Sequence, residues 1–141
     1  MMPIFYRKLR KYKYQVMEDY TVTIALKPKQ DIDHPYISLS AGGQLTVRKR
    51  YAWDGPSGPT FDTKSFMRGS LVHDALYQLM RLSLLDHKAD RRRADEILRD
   101  MCKADGMLLP RTWWVYYGVR WFGKSSAAPE EDKGVEIITA P

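Results

Sequence analysis

Residues 70–79 read SLVHDALYQL, a stretch in which a histidine, an aspartate and a tyrosine interrupt an otherwise apolar pattern. The stretch is the centre of a longer segment, about residues 63–82, whose apolar side chains recur at intervals of three and four, as they do on one face of an α-helix. These side chains are Phe66, Leu71, Val72, Ala75, Leu76, Leu79 and Met80. The segment is therefore predicted to be a helix, with Thr63 or Ser65 as its cap.

Two more helices are predicted after this one. Residues 88–104 carry an apolar face and hold most of their arginines on the opposite face, and Asp105-Gly106 then provides a C-terminal stop. The apolar face consists of Ala94, Ile97, Leu98 and Met101. Pro110 suits the first turn of a third helix, PRTWWVYYGVRWFG. The first two helices should form a hairpin because only a short polar link joins them.

The chain before residue 54 is predicted to be β. The segment YQVMEDYTVTIAL (14–26) alternates apolar and polar residues, and YISLS (36–40) and QLTVRKRYAW (44–53) flank a link, Ala41-Gly42-Gly43, of the length that closes hairpins. We expect two or three antiparallel strands. The next stretch, DGPSGPTFD (54–62), is rich in glycine and proline and is predicted to be a loop.

These elements predict a single α+β domain over residues 1–124, with N-terminal antiparallel β-strands followed by a helical hairpin and a third, aromatic-rich helix. Residues 125–141 are small, polar and acidic and are predicted to be a C-terminal tail. The chain has 141 residues, of which 44% are hydrophobic and 28% charged. This length and composition are typical of one globular domain.

The cysteine content and the hydropathy of the sequence restrict the kind of protein that we expect. Cys102 is the only cysteine, which excludes an intramolecular disulfide and a cysteine zinc site. No apolar run approaches the roughly 20 residues that span a bilayer, and the N-terminus lacks a signal-peptide pattern. We therefore expect a soluble protein with neither a membrane anchor nor a signal peptide.

The net charge of +6 comes largely from basic clusters at residues 7–13, 48–50 and 91–93. Such clusters suit polyanions, either nucleic acid or an anionic membrane surface, and they equally suit a solvated basic face. Because no recognised nucleic-acid motif accompanies them, nucleic acid is a disfavoured partner. Nucleic-acid binding through the N-terminus would predict a steep loss of affinity with salt.

The polar residues of the first helix point in two directions. His73 and Tyr77 lie four residues apart and share a face, whereas Asp74 is turned about 100° from His73. His73 suits a general base because imidazole titrates near neutral pH. Asp74 suits a hard cation such as calcium, which needs about six to eight oxygen ligands.

The loop after the last strand is the expected source of further calcium ligands. Its turned backbone leaves carbonyl groups outside any ladder. The predicted calcium ligands are Asp74, Trp53, Asp54, Gly55 and Gly58. Ser57 is expected to stabilise this loop, because it lacks the sequence setting of a nucleophile.

Asp95 borders the apolar face of the second helix and is expected to face the first helix. A buried unpaired carboxylate would cost several kcal/mol, roughly, so Asp95 should find donors, and His73 with Tyr77 would supply them. This arrangement predicts water activation by a His–Asp pair and hydrolysis of an ester. The alternative is a polar network that fixes the packing of two helices and performs no reaction.

The order of these motifs resembles phospholipase A2, most closely the disulfide-free enzymes carried by parvovirus capsids. The matching segments are YAWDGPSG, HDALY and RADEIL, within about residues 51–101. The resemblance implies that His73 is the base, Asp74 a calcium ligand, Asp95 the residue that orients His73, and Tyr77 a donor to Asp95. The long N-terminal β region has no place in the compact phospholipases.

A second resemblance covers more of the chain. DGPSGP, VHDALY, RRRADEILRDM and YYGVRWFG are similar to the pattern of an uncharacterised family of proteins carried by tailed phages and prophages. Asp54, Gly55, Ser57 and Pro59 fit its Asp-Gly-x-Ser-x-Pro motif. This resemblance implies a phage origin, a place in the host bacterial cytoplasm or the virion, and other phage proteins as partners. It implies no activity, so a non-catalytic structural or accessory protein is the alternative.

The third helix carries more aromatic residues than one buried face can hold. Trp113, Trp114, Tyr117 and Trp121 are the candidates for an outward-facing surface. Aromatic rings beside arginine and lysine suit the headgroup region of a membrane, so phospholipid is one predicted partner. An oligomer or virion interface is the other interpretation of this surface.

Overall fold

The computed structural model describes residues 4, 6–8, 14–53 and 64–129. Within them the predicted α+β class is confirmed: antiparallel strands come first, and a helical hairpin and an aromatic-rich third helix follow. The described strands belong to one compact unit and the described helices to another. Residues 9–13, which are part of the basic cluster at 7–13, lie outside the described part of the chain, and so do the loop residues 54–62.

The β unit contains seven short strands among its described residues, more than the two or three predicted. In chain order they are β1 (Tyr6–Lys8), β2 (Tyr14–Val16), β3 (Tyr20–Thr23), β4 (Ile32–Asp33), β5 (Ile37–Leu39), β6 (Gln44–Val47) and β7 (Ala52–Trp53). They form two antiparallel sheets, ordered β1-β2-β7 and β3-β6-β5-β4. The predicted strand 14–26 is split because the exposed residues 17–19 carry the chain from one sheet to the other.

The β5–β6 hairpin confirms the role predicted for the glycine-containing link. Leu39 lies opposite Leu45 and Ile37 opposite Val47, and all four side chains are fully buried. Gly43 closes the turn with a φ of +91° and donates its N–H to the carbonyl oxygen of Ser40 at 2.9 Å. A positive φ of this kind favours glycine because it has no Cβ.

The helical unit contains four helices among its described residues. They are α1 (Lys64–Arg81), α2 (His87–Ala104), α3 (Leu109–Phe122) and α4 (Lys124–Ala127). Ser65 is therefore inside α1 and is not its cap, and Thr63 lies outside the described residues. Asp86 caps α2 by accepting from the backbone N–H of Lys88 at 2.9 Å, so α2 begins one residue earlier than predicted.

The ends of α2 and α3 follow the predicted signals. Gly106 has a φ of +93° just after α2, as a C-terminal stop requires. Pro110 lies in the first turn of α3. A backbone N–H at this position would have no intrahelical acceptor, so proline loses no hydrogen bond there. The predicted tail, residues 125–141, begins inside α4, whose Ala127 is fully buried, and residues 130–141 lie outside the described part.

The apolar faces predicted for the first two helices are both buried, and they pack α1 against α2. Gly69 brings the two helices close, because a Cβ there would lie 3.1 Å from Sγ of Cys102 and 3.1 Å from Cδ1 of Leu98. Phe66 and Val115 join Leu98 and Cys102 in one apolar cluster, which brings α3 onto the hairpin. The described helices include none that is both long enough and apolar enough to cross a bilayer.

Candidate functional site

A histidine and an aspartate from the two hairpin helices meet at the centre of the site. Nε2 of His73 on α1 lies 2.7 Å from Oδ1 of Asp95 on α2. Asp95 is fully buried, whereas 13% of the His73 side chain is exposed. No described residue forms a hydrogen bond with Nδ1, the other ring nitrogen of His73. The geometry therefore holds one ring nitrogen and leaves the second able to accept a proton.

Tyr77 and two arginines complete the shell around Asp95. The Tyr77 hydroxyl donates to Oδ1 at 2.6 Å, and Nη1 of Arg120 on α3 donates to Oδ2 at 2.9 Å. Nη1 of Arg91 lies 3.6 Å from the same Oδ2. The His73 and Tyr77 rings also pack together, with centroids 4.1 Å apart. The carboxylate thus receives charged or polar donors from three helices, which offset the cost of its burial.

The protonation states follow from this shell. Burial acts to raise the pKa of Asp95, but the hydrogen bonds from His73, Tyr77 and Arg120 outweigh it and hold that pKa below its usual range. Burial, followed by the negative charge of Asp95, raises the pKa of the Tyr77 hydroxyl above its usual range. At neutral pH Asp95 is therefore an anion that accepts, and Tyr77 is a neutral hydroxyl that donates.

Arg91 connects this cluster to the end of α3. Its Nη1 donates to the carbonyl oxygen of Val119 at 2.9 Å and its Nη2 to that of Arg120 at 3.1 Å. Carbonyl groups in the last turn of a helix have few backbone donors, and the Val119 carbonyl oxygen also accepts from the backbone N–H of Gly123 at 2.8 Å. Arg91 adds a cation at this negative end of the helix dipole. The same side chain therefore neutralises Asp95 and terminates α3.

Gly123 allows the chain after α3 to pass close to this cluster. A Cβ at this position would lie 2.5 Å from the carbonyl oxygen of Val119 and 2.7 Å from the Tyr77 hydroxyl. It would also lie 3.3 Å from Nη1 of Arg91. The closing Gly of the aromatic segment is thus a packing requirement of the site.

Sequence reasoning brought together His73, Tyr77 and Asp95 but missed both arginines. Arg91 precedes Asp95 by one helical turn, and this i, i+4 spacing was a usable signal. Arg91 was missed because most arginines of the second helix are predicted to lie on the face opposite its apolar side. Arg120 is distant from Asp95 in sequence, and nothing in the local pattern of α3 indicated its partner.

The predicted calcium ligands are only partly within the described residues. Asp74 is partly buried on α1, and Trp53 is a buried residue of β7 in the other unit. Asp54, Gly55 and Gly58 lie outside the described residues, as do Ser57 and Pro59. Across residues 14–53 and 64–129, no three His, Cys, Asp or Glu side chains are grouped to hold a metal ion. Calcium binding therefore stays a prediction, and no catalytic step is derived through it.

The comparison with protein families decides the identity of the chain at family level. Residues 32–119 match the family described as Protein of unknown function (DUF1353), and this is more than half of the chain. The chain belongs to the DUF1353 family. The matched region of this DUF1353 protein includes His73, Tyr77, Arg91 and Asp95 and ends one residue before Arg120. No curated protein and no solved structure matches the chain.

Proposed function

We propose that this DUF1353 protein is a phospholipase A2-like ester hydrolase in which His73 activates the attacking water. The observation that carries the proposal is the 2.7 Å contact of His73 Nε2 with buried Asp95. It leaves Nδ1 of a partly exposed imidazole as the available base. The order of motifs that resembles phospholipase A2 supports the same assignment.

The proposed step is general-base hydrolysis. His73 donates its Nε2–H to Asp95 and accepts a proton from water at Nδ1, while the water oxygen bonds to the ester carbonyl carbon. The tetrahedral intermediate then collapses, the bond from carbon to the leaving oxygen breaks, and the imidazolium returns its proton to that oxygen. The products are a carboxylic acid and an alcohol, and His73 ends in its starting form.

Asp95 is a positioning residue in this scheme. Its anionic oxygen fixes the tautomer of His73 and stabilises the imidazolium that forms in the transition state. Tyr77 and Arg120 hold the two carboxylate oxygens in place. A carboxylate restrained in this way keeps its orientation when the imidazole changes charge, which lowers the reorganisation that the reaction needs.

The second candidate is a non-catalytic phage structural or accessory protein. It is favoured by the way one fully buried carboxylate ties α1, α2 and α3 together, with Arg91 also bonded to the end of α3. Such a network specifies helix packing without any reaction. The hydrolase is favoured by the exposure of His73 and by its Nδ1, which forms no hydrogen bond with the residues that the structure describes.

Hydrolysis of a phospholipid panel, with added calcium and with a chelator, distinguishes the two functions. We expect wild-type protein to release fatty acid and His73→Asn to be slower by about 10²- to 10⁴-fold, the range for loss of a general base. His87→Asn changes a histidine at the start of α2 and serves as the matched control. Hydrolysis that requires calcium would support the predicted cation site.

No turnover by wild-type protein in either condition would contradict the hydrolase and favour the packing network. Equal turnover by wild type and His73→Asn would assign the activity to another group. Thermal unfolding of each variant shows whether a loss of rate reflects the chemistry or a loss of fold.

We also propose that the protein is of phage or prophage origin and acts with other phage proteins in the host bacterium or the virion. The support is the motif order shared with proteins of tailed phages and prophages. Sequencing of the flanking genes tests this origin. Neighbours that encode tail, capsid or lysis proteins are expected, and a locus without phage genes would contradict it.

A further inference from the structure

The outward face of α3 is apolar along its length. Seven of the nine exposed large hydrophobic residues in the described part of the chain lie between residues 108 and 122. They are Leu108, Leu109, Trp113, Trp114, Tyr117, Trp121 and Phe122. Their concentration on one short segment separates them from the scattered apolar residues that every protein surface shows.

A continuous row of rings forms the centre of this face. Trp113, Tyr117 and Trp121 are four residues apart, so they lie along one side of the helix. The ring centroids of Trp113 and Tyr117 are 5.9 Å apart, and those of Tyr117 and Trp121 are 5.7 Å apart. Trp114 extends the row on one side. We call these four residues the α3 stripe.

The opposite face of α3 already supplies the core of the helical unit. Thr112, Val115 and Tyr116 are buried there. A helix that is apolar on both faces normally has partners on both, and the α3 stripe is 44–73% exposed. This exposed area therefore indicates a surface that is covered in use.

The charges beside the α3 stripe decide what covers it. Arg99 of α2 lies over the Trp113 ring at 5.3 Å, Lys124 begins α4, and the chain from Gly106 to Pro129 contains no aspartate or glutamate. A second copy of the chain packed face to face would bring these cations near their equivalents. Lipid phosphates would instead neutralise them, and indole and phenol rings favour the headgroup region of a bilayer.

We propose that the α3 stripe docks this protein on an anionic phospholipid surface. The 14 residues of α3 are too few to span a bilayer, so the helix lies in the plane of the interface with its rings among the headgroups. Arg120 of this helix also bonds Asp95, which places the lipid-binding element in direct contact with the His73 cluster. The proposal stands on this surface alone and does not require the cluster to hydrolyse anything.

Binding to lipid vesicles tests the proposal separately from catalysis. Wild-type protein is mixed with vesicles of phosphatidylcholine alone or with added phosphatidylglycerol, and binding is followed by co-sedimentation and by tryptophan fluorescence. We expect binding to the anionic vesicles, a blue-shifted emission and weakening by salt. Trp114→Gln/Trp121→Gln should lower the partition coefficient about a hundredfold, at about tenfold for each side chain withdrawn from the interface.

Leu84→Gln is the matched control, because Leu84 is 44% exposed, as Trp113 is, and lies outside the α3 stripe. This variant should bind vesicles as wild type does. Absence of wild-type binding to anionic vesicles, or equal binding by the double variant, would overturn the proposal. A wild-type dimer that the double variant converts to a monomer, without any vesicle binding, would assign the stripe to a second copy and also overturn it.

Discussion

Two aspartates of the helical hairpin neutralise arginines in different ways. Asp105, which follows α2, pairs with Arg68 of α1 through two hydrogen bonds of 2.9 and 2.7 Å. Asp95, in the middle of α2, has no exposed surface and receives donors from a histidine, a tyrosine and an arginine. The Asp105 side chain is 19% exposed. Both aspartates join α2 to α1, but only Asp95 has a titratable imidazole among its partners.

Asp105 and Arg68 form a structural ion pair, whereas the cluster around Asp95 contains a histidine that could take part in proton transfer. A forked arginine–carboxylate pair is complete, because both oxygens and both donor nitrogens are used. In the Asp95 cluster one atom, Nδ1 of His73, has no hydrogen-bond partner among residues 14–53 and 64–129. This difference is why the proposed reaction is placed at His73 and Arg68 is given only a packing role.

The largest expected effect is the loss of stability on removing each negative charge. Asp95→Asn leaves Arg91 and Arg120 beside a neutral, buried amide and should lower the free energy of unfolding by about 3–5 kcal/mol, as for a broken buried pair. Asp105→Asn should cost about 1.5–3 kcal/mol, the value of hydrogen bonds to charged groups. Urea unfolding measures both. Equal losses would contradict the distinction between the two aspartates.

The next effect concerns the close approach at the end of α3. Gly123→Ala forces a methyl group against Val119 and the Tyr77 hydroxyl and should destabilise the protein by about 1–3 kcal/mol, as overpacking does. Gly118→Ala is the matched control, since a Cβ there meets no atom within 4 Å and should add about 0.5–1 kcal/mol of helix stability. Thermal unfolding of the pair checks both signs. A neutral Gly123→Ala would show that Tyr77 is not held as described.

Periodicity was sufficient for the fold of the helical unit. The apolar spacing of α1 and α2 predicted both buried faces, and Gly106 and Pro110 marked the end of α2 and the start of α3. These signals are readable in the sequence because each acts over only a few residues. The strands were less predictable: residues 14–26 alternate throughout, but the chain changes sheets at residues 17–19, and sheet membership depends on distant partners. Asp33 of β4 pairs with Ser38 of β5, although no alternation of apolar and polar residues marks β4 as a strand in the sequence.

The site was predictable only where helical geometry determined it. His73 and Tyr77 share a face by their spacing, and the position of Asp95 at the border of an apolar face required donors. Arg120 reaches Asp95 from another helix, across 25 positions of sequence, so its contribution depends on how α3 packs. A long arginine side chain can reach either face of its own helix, so the predicted position of most arginines on the opposite face did not reveal the contact of Arg91 with Asp95.

The smallest effect is the pH dependence that Asp95 contributes. The pKa of Asp95 is depressed in the folded protein, so in acid the unfolded state binds more protons than the folded state. The stabilisation that the Asp95 carboxylate provides is therefore complete above the unfolded pKa of about 3.9 and is lost as pH falls through the folded pKa. The stability difference between wild type and Asp95→Asn should therefore narrow in acid. Urea unfolding from about pH 6 to about pH 3 checks this. A constant difference would mean that folding does not lower the pKa of Asp95.

The state of the His73 ring is the most direct test of the site. Long-range proton–nitrogen NMR spectra of uniformly labelled protein distinguish a protonated ring nitrogen from a bare one. In the neutral imidazole of His73, we predict that Nε2 carries the proton and donates it to Asp95, while Nδ1 is bare and able to accept a proton from water. The opposite tautomer, with the proton on Nδ1, would contradict the account because His73 would have no lone pair available to activate water.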